Sequence, residues 1–263
     1  YAEWGEGVVA RLQGMFAFAL FDSKAQKILV ARDRMGIKPL YLSRSAHGIR
    51  FASNTQALLD SGGIDTALDP EGLHLLFSLH AVVPAPRTVL NGIRKLQPAH
   101  YLVIEADGHE HLECYWRLCA RRPEQALDDE EWRERIESGL RRAVRRRLEV
   151  ADVPVGVLLS GGLDSSLLVA LAVEEGAQNL RTFTVGFEDQ PEEKGSEFEY
   201  SDPVAERYAT DHQRTLIPNS EVLRRLPEAV GAMAEPMFGQ DAVAFYLLAE
   251  QVSRHVKVVQ SGQ

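Results

Sequence analysis

The stretch VPVGVLLSGGLDSSLLVALAVEEG, residues 153–176, decides the expected fold because a strand-like and a helix-like segment meet in it. Residues 153–159 form a short apolar run, which is typical of a strand buried on both faces. Residues 166–176 have the composition of a helix. Gly161 and Gly162 separate the two segments. A strand that passes through such a loop into a helix predicts a parallel α/β sheet, and parallel sheets bind ligands at the carboxyl ends of their strands.

The residues of this loop predict what it binds. Glycine lets the backbone turn sharply and approach a ligand. The free N–H groups at the start of a helix attract anions, and the hydroxyls of Ser160, Ser165 and Ser166 add donors. Asp164 would repel a bare phosphate but suits a Mg²⁺ ion that bridges phosphate groups. The loop has no Gly-Lys-Ser/Thr, so it is not a Walker loop. We therefore expect a magnesium-bound polyphosphate that is attacked at its α-phosphorus and releases pyrophosphate.

The predicted secondary structure changes in kind near residues 117–125. Residues 1–120 contain pairs of apolar strand patterns joined by short polar turns, which predicts antiparallel sheet with little helix. After that, a long amphipathic helix at residues 130–150 precedes strands that alternate with helices. This alternation predicts a parallel sheet covered on both faces. We therefore expect two domains, at residues 1–120 and 121–263.

Composition and charge argue against several classes of protein. The 263 residues are 45% hydrophobic and 25% charged, which is typical of a globular protein, and the net charge is -9. This acidic balance does not support general nucleic-acid binding, and we interpret the arginine run at residues 141–147 as a solvated helix face or a domain contact. No apolar run reaches the roughly 18 residues that span a membrane. The spacing of Cys114 and Cys119 is not that of a metal site, so we expect a reduced, cytoplasmic protein. From the charge and the lack of a long apolar run, we expect no nucleic-acid or membrane partner.

Three motifs, in order along the chain, resemble the asparagine synthetase family of glutamine-dependent amidotransferases. Residues 12–22 and 31–41 (LQGMFAFALFD and ARDRMGIKPLY) resemble the later part of the family's glutaminase domain. Residues 82–103 resemble the segment that leads out of it, and residues 160–166 (SGGLDSS) resemble the pyrophosphate loop of ATP pyrophosphatases. The resemblance implies the C-terminal part of an α+β N-terminal-nucleophile glutaminase domain with antiparallel sheets. It implies that the N-terminal part of an α/β parallel-sheet ATP pyrophosphatase domain follows.

The resemblance also implies roles for individual residues. It places Asp164 on Mg²⁺ together with pyrophosphate, Val185 against adenine, and Gln263 where the family has a glutamate that assists catalysis. ATP and Mg²⁺ are the implied cofactors, glutamine and a carboxylate acceptor are the implied substrates, and a homodimer is left open. The residues expected to bind ATP are Leu159, Ser160, Gly161, Gly162, Asp164, Ser165, Ser166, Val185, Ser261 and Gly262.

The sequence departs from the family pattern at both ends. The family's nucleophile is a cysteine at the mature N-terminus. Neither Cys114 nor Cys119 can replace it, because the mechanism uses the chain's own α-amino group as base. The sequence begins at Tyr1 within a recognised pattern, so we expect it to be an internal part of a longer protein. We expect that this part by itself hydrolyses no glutamine. At the other end, Ser261–Gln263 reads Ser-Gly-Gln where the family usually has Ser-Gly-Glu. This resembles a branch that amidates an N-acetylated glutamine dipeptide rather than aspartate.

Several functions stay open on the sequence alone. The leading expectation is a ligase that adenylates a carboxylate with ATP and amidates it with ammonia from glutamine. One alternative is an amidotransferase for an N-acetylated glutamine dipeptide, and another is a ring-closing relative without glutaminase activity. A third is a tRNA-modifying enzyme with the same ATP loop, which would need a basic RNA-binding module in place of the glutaminase-like first half. The last is a non-catalytic scaffold, which would bind no ATP.

Overall fold

A computed structural model gives the fold of the chain. It describes residues 1–46, 48–189, 194–237 and 240–262. The chain forms two compact units, of which the first comprises Tyr1–Arg121 and Val230–Gly239 and the second comprises Arg122–Ala229 and Gln240–Gln263. Within the ranges just given, no helix combines the length and the apolar character that crossing a membrane requires.

The first unit is built on two antiparallel sheets. Its strands are β1 (Ala17–Asp22), β2 (Lys27–Arg32), β3 (Tyr41–Ser45), β4 (Gly48–Ala52), β5 (Arg94–Lys95), β6 (His100–Ile104) and β7 (Glu110–Cys114). One sheet has the order β1-β2-β6-β7 and the other the order β4-β3-β5. Its helices are α1 (Val8–Arg11), α2 (Thr55–Asp60) and α3 (Pro70–Ser78). Strands of both sheets contribute to one buried cluster, which contains Val30, Leu40, Leu42, Leu96 and Leu102.

A buried carboxylate fixes the start of α3. The Oδ1 atom of Asp69 accepts hydrogen bonds from the backbone N–H groups of Glu71 and Gly72, each at 3.1 Å. Asp69 is only 3% exposed, and its Oδ2 atom lies 2.7 Å from Arg87 and 3.2 Å from Arg94. Burial opposes ionisation of Asp69, but the N–H of Gly72 and the two guanidinium groups hold its pKa below the ordinary value. The cap is therefore charged in the folded protein at neutral pH.

The second unit contains a parallel sheet. Its strands are β8 (Val155–Leu158), β9 (Arg181–Phe187), β10 (Asp211–Ile217) and β11 (Val258–Gln260). The helices of this part of the chain are α4 (Asp129–Glu149), α5 (Leu163–Glu174), α6 (Phe198–Arg207), α7 (Asn219–Ala232) and α8 (Gln240–Ser253). The strand order is β10-β9-β8-β11, and every pairing in it is parallel. The predicted parallel sheet is confirmed.

Neighbouring residues of β8 pack into different layers. Val157 lies in a buried cluster with Val144 of α4 and Val169 of α5, whereas Leu158 packs against a cluster that contains Val252 of α8. Because side chains alternate between the two faces of a strand, both faces of β8 are covered by helices. This is why the strand is an unbroken apolar run rather than an alternating one.

The arginine run on α4 makes contacts within its own unit. Arg141 lies 2.6 Å from Glu174, and Arg145 forms an ion pair with Glu175. Both acids are at the end of α5, so these pairs join α4 to α5. The interpretation of the run as a helix face or a packing contact agrees with this arrangement.

The connection between β10 and β11 holds more helix than expected. The sequence predicts one helix there, whereas the structure has two, α7 and α8. Pro227 lies inside α7, and an interior proline removes a backbone hydrogen bond and crowds the preceding turn, so the sequence reads as a break. Ala229 of α7 nevertheless packs in a buried cluster with Ile217 of β10 and Val243 of α8. Burial of this face outweighs the local cost of the proline.

Candidate active site

A cavity of about 410 Å³ opens at the carboxyl ends of β8, β9 and β11 in the second unit. The loop after β8, the first turn of α5 and the turn after β11 form its polar part, and residues of β9 and α8 form its apolar part. The cavity brings together Ser160, Val185 and Ser261, which lie at or near the carboxyl ends of β8, β9 and β11. Of the residues expected to bind ATP, those that line the cavity are Leu159, Ser160, Gly162, Asp164, Ser165, Val185, Ser261 and Gly262.

Three other predicted site residues are not part of this lining. Gly161 packs elsewhere, as described next. Ser166 has a buried Oγ atom without a hydrogen-bond partner in the described part of the chain. Ser166 follows Ser165 on α5. Successive residues of a helix are rotated by about 100° around its axis, so the side chain of Ser166 points in a different direction from that of Ser165. Gln263 lies outside the described residues.

Gly161 holds the loop against α6. Its φ is +86°, a left-handed conformation that residues with a Cβ rarely adopt. A Cβ at this position would lie 2.5 Å from the Cβ atom of Tyr200 and 2.6 Å from the backbone nitrogen of Ser201. The absence of a Cβ at Gly161 leaves room for the first turn of α6. The predicted role of Gly161 in binding ATP stays a prediction.

The polar groups of the loop are held by one another. The hydroxyls of Ser160 and Ser165 are 3.0 Å apart, and the Ser165 hydroxyl donates to the carbonyl oxygen of Gly162 at 3.2 Å. Gly162 is the N-cap residue of α5, and no side chain caps this helix. The first N–H groups of a helix need an acceptor from outside the helix, and an anion in the cavity would supply one.

The turn after β11 closes on the same helix start. A Cβ added to Gly262 would lie 2.9 Å from the Cβ atom of Asp164 and 3.0 Å from the backbone nitrogen of Ser165. Only glycine allows the two loops to approach this closely without displacing backbone atoms. Thr184 of β9 joins the same region, because its hydroxyl donates to the carbonyl oxygen of Leu159. The ends of β8, β9 and β11 thus lie around the N-terminus of α5.

The charge of the cavity restricts what it can hold. Its ionisable lining residues are Asp164 and Glu197, and no lysine, arginine or histidine of the described residues lines it. Neither carboxylate has a hydrogen bond or ion pair with another described residue. A polyphosphate would bring further negative charge, so it needs a divalent cation, and carboxylate and phosphate oxygens are the ligands that Mg²⁺ prefers. Within the described ranges, no group of three or more His, Cys, Asp or Glu residues could hold a metal ion. The carboxylate of Asp164 at the start of α5 fits such a Mg²⁺ ion, whose other ligands would come from the nucleotide and water.

Some residues of the cavity are not found by sequence reasoning. Phe245 and Leu248 of α8 line its apolar part, and their i, i+3 spacing on a helix is the signal that could have placed them on one face. Glu197 lines it as well. It stands in the acid-rich stretch EDQPEEKGSEFE, residues 188–199, where nothing local distinguishes it from the other acids.

Residues 135–263 match the asparagine synthase family, and residues 1–116 match a glutamine amidotransferase domain family. The chain is 35% identical over 268 residues to a putative glutamine-hydrolysing asparagine synthetase of Mycobacterium tuberculosis, with 100% of this chain and 40% of that protein covered. It is 32% identical over 244 residues to the glutamine-hydrolysing asparagine synthetase 3 of Bacillus subtilis, with 88% of this chain and 39% of that protein covered.

Among solved structures, a glutamine-dependent NAD⁺ synthetase of Acinetobacter baumannii in complex with ADP has 15% sequence identity and a TM-score of 0.38, over 95% of this chain and 60% of that chain. A similarity this low supports no conclusion about the site. The chain spans about two fifths of the length of the curated relatives named above. The two family matches agree with the two kinds of domain expected from the sequence. The chain belongs to the asparagine synthetase family.

Proposed function

We propose that the full-length protein is a glutamine-dependent, amide-forming ligase that activates a carboxylate with ATP. In this proposal residues 1–120 are the C-terminal part of a glutaminase domain, and residues 121–263 are the N-terminal part of an ATP-binding synthetase domain. The observation that carries the proposal is the cavity at the carboxyl edge of the parallel sheet, with the N-terminus of α5, which no side chain caps, at one end and apolar side chains at the other. The family matches of the two halves support it.

The proposed reaction has two steps. An oxygen of the acceptor carboxylate attacks the α-phosphorus of ATP, the bond from that phosphorus to the α,β-bridging oxygen breaks, and pyrophosphate leaves with the electron pair. Ammonia from glutamine hydrolysis then attacks the acyl carbon, and AMP leaves as the amide forms. A loop without a lysine directed at the terminal phosphate suits this route, because it holds the outer phosphates as one leaving group.

The described residues have separate tasks in this reaction. The N–H groups at the start of α5, with the hydroxyls of Ser160 and Ser165, bind the outer phosphates. Asp164 would hold Mg²⁺, which would supply positive charge to neutralise the leaving pyrophosphate. Val185 and the apolar end of the cavity receive the adenine. Ser261 and Gly262 close the site from the side of β11.

The acceptor is proposed to be larger than aspartate. The support is the sequence Ser261–Gln263, in which a neutral glutamine replaces the usual glutamate. Gln263 cannot accept a proton from ammonia at physiological pH. The carboxamide of Gln263 can instead donate hydrogen bonds to a peptide-like acceptor. A carboxylate at this position would repel the negative charge of such an acceptor. An N-acetylated glutamine dipeptide is the acceptor that best fits this chemistry.

Acceptor-dependent pyrophosphate release by the full-length protein tests the proposal. We expect release that requires ATP, Mg²⁺ and a carboxylate acceptor, together with glutamate release from glutamine. The acceptor series compares aspartate with N-acetylated glutamine dipeptides at equal concentration. A protein that binds no ATP would contradict the ligase function and favour a scaffold, and glutamine-independent ring closure would favour the ring-closing relative.

A further inference from the structure

Glu197 lines the cavity, and the contacts of the residues before and after it in the chain fix its position. Ser196, just before it, packs against β9, since a Cβ added to Gly186 would lie 3.2 Å from the Cα atom of Ser196. Tyr200, three residues after it, packs against the phosphate loop at Gly161. Glu197 is therefore placed between the strand that leads to the apolar end of the cavity and the loop that forms its polar end.

The backbone around Glu197 is fixed. Its carbonyl oxygen accepts hydrogen bonds from the N–H groups of Tyr200 at 3.0 Å and Ser201 at 3.1 Å, which makes it part of the start of α6. The N–H of Phe187, at the end of β9, donates to the carbonyl oxygen of Gly195 at 2.6 Å. The segment is thus bound to α6 on one side and to β9 on the other, so the position of Glu197 beside the cavity does not depend on a ligand.

The carboxylate of Glu197 differs from those around it because no described residue pairs with it. The neighbouring acids that the structure describes have partners: Glu188 with Asn219, Asp189 with the N–H of Gly195, Glu199 with Lys194, and Asp202 with Arg214. The carboxylate of Glu197 has no hydrogen bond or ion pair with any described residue, and Glu197 is the acid of the described part of this segment that lines the cavity. An unpaired carboxylate at such a place is available to a hydrogen-bond donor of the ligand.

We propose that Glu197 recognises the ribose of the nucleotide, its carboxylate accepting hydrogen bonds from the 2′- and 3′-hydroxyls; this inference rests on the proposed function. In ATP the sugar lies between the phosphates and the base, as Glu197 lies between the polar and apolar ends of the cavity. A carboxylate accepts but does not donate, so it matches two vicinal hydroxyls and is repelled by phosphate oxygens. Dinucleotide-binding sheets place an acidic residue on a ribose hydroxyl at the same edge of a parallel sheet.

The test measures the affinity of the full-length protein for ATP and for 2′-deoxy-ATP by calorimetry, at a fixed excess of Mg²⁺. We expect the wild-type protein to prefer ATP by about 10- to 100-fold, the range for a hydrogen bond to a charged group. Glu197→Ala is expected to bind ATP more weakly and to lose most of this preference. Glu199→Ala is the matched control, because Glu199 is an acid two residues away that pairs with Lys194 and does not line the cavity. It should leave both affinities unchanged.

The outcomes separate this inference from the function on which it rests. If the wild-type protein binds no ATP, the proposed function is wrong. If it binds ATP but Glu197→Ala keeps the wild-type preference for the ribonucleotide, the inference alone is overturned. The titrations are repeated over a range of Mg²⁺ concentrations, and a preserved preference combined with a shifted Mg²⁺ requirement would show that Glu197 serves the cation and would also overturn the inference. Glu197→Met, which keeps the length of the side chain without the carboxylate, repeats the test if the alanine variant does not fold.

Discussion

Replacing Gly161 by alanine tests how the phosphate loop is held. The residue has a φ of +86°, and an added Cβ would meet backbone or Cβ atoms of Tyr200 and Ser201 at 2.5–2.6 Å. Neither neighbour can move as a flexible side chain could, because both belong to the start of α6. The loop, the helix or both must shift, and the loop carries the hydroxyl of Ser160 that we assign to the nucleotide.

The cost of Gly161→Ala has two parts. A left-handed conformation costs a residue with a Cβ about 1–2 kcal/mol, and forcing a methyl group into a packed site costs about 1–3 kcal/mol more. The sum is a loss of about 2–5 kcal/mol in the free energy of unfolding. Gly176→Ala isolates the first part, because Gly176 has a φ of +94° and nothing within 4 Å of the added Cβ. It should lose only about 1–2 kcal/mol.

The assay compares both variants with the full-length wild-type protein in chemical denaturation and in ATP binding. We expect Gly161→Ala to be less stable than Gly176→Ala by about 1–3 kcal/mol. Its affinity for ATP should fall at least about tenfold, which corresponds to roughly 1.4 kcal/mol. Gly176→Ala should bind ATP as the wild type does. Equal stabilities of the two variants, or unchanged ATP binding by Gly161→Ala, would refute the role given to the contact with α6.

Three further predictions concern other residues. Asp164→Asn should lower pyrophosphate release at least about 100-fold and leave glutamine hydrolysis within about twofold; equal loss of both activities would contradict the separate assignment of Asp164. The folded-state pKa of Asp69 is depressed, so its charge stabilises the fold above the unfolded-state pKa of about 3.9 and this stability is lost as the pH falls through the folded-state pKa. Asp69→Asn should therefore lose about 1–3 kcal/mol at pH 7 and less at about pH 3, as measured by denaturant titration at both pH values. Because Gln263 is neutral, an N-acetylated glutamine dipeptide should have a higher kcat/KM than aspartate, and the reverse order would refute the proposed acceptor.

The parts of the fold that the sequence predicts are those whose signal is local. The apolar run of β8, the glycines after it and the helix that follows are contiguous, so residues 153–176 predict the strand, the loop and α5 together. The Asp107-Gly108 turn likewise marks the hairpin of β6 and β7, which the structure shows. In these places the periodicity of the sequence and the tertiary structure agree.

The parts that the sequence does not predict depend on contacts between distant residues. Gly161 reads as a residue that approaches a ligand, but its partner is α6, about 40 residues later in the chain. Glu197 is hidden among other acids, and only the contacts of Ser196 and Tyr200 place it beside the cavity. A local pattern cannot contain either contact, because each joins segments that meet only in the folded unit.

The most direct test of the proposed adenylation follows an oxygen atom of the acceptor's carboxylate. The full-length protein is incubated with ATP, Mg²⁺, glutamine and the acceptor that gives the fastest pyrophosphate release, with the acceptor's carboxylate labelled with ¹⁸O. Attack of the carboxylate on the α-phosphorus, followed by displacement of AMP by ammonia, leaves one acceptor oxygen on the phosphate of AMP. We predict that ¹⁸O appears in AMP in a 1:1 ratio to amide formed, about one atom per turnover, as mass spectrometry would show. Formation of ADP with the label in inorganic phosphate, or AMP without label, would contradict the proposed adenylation.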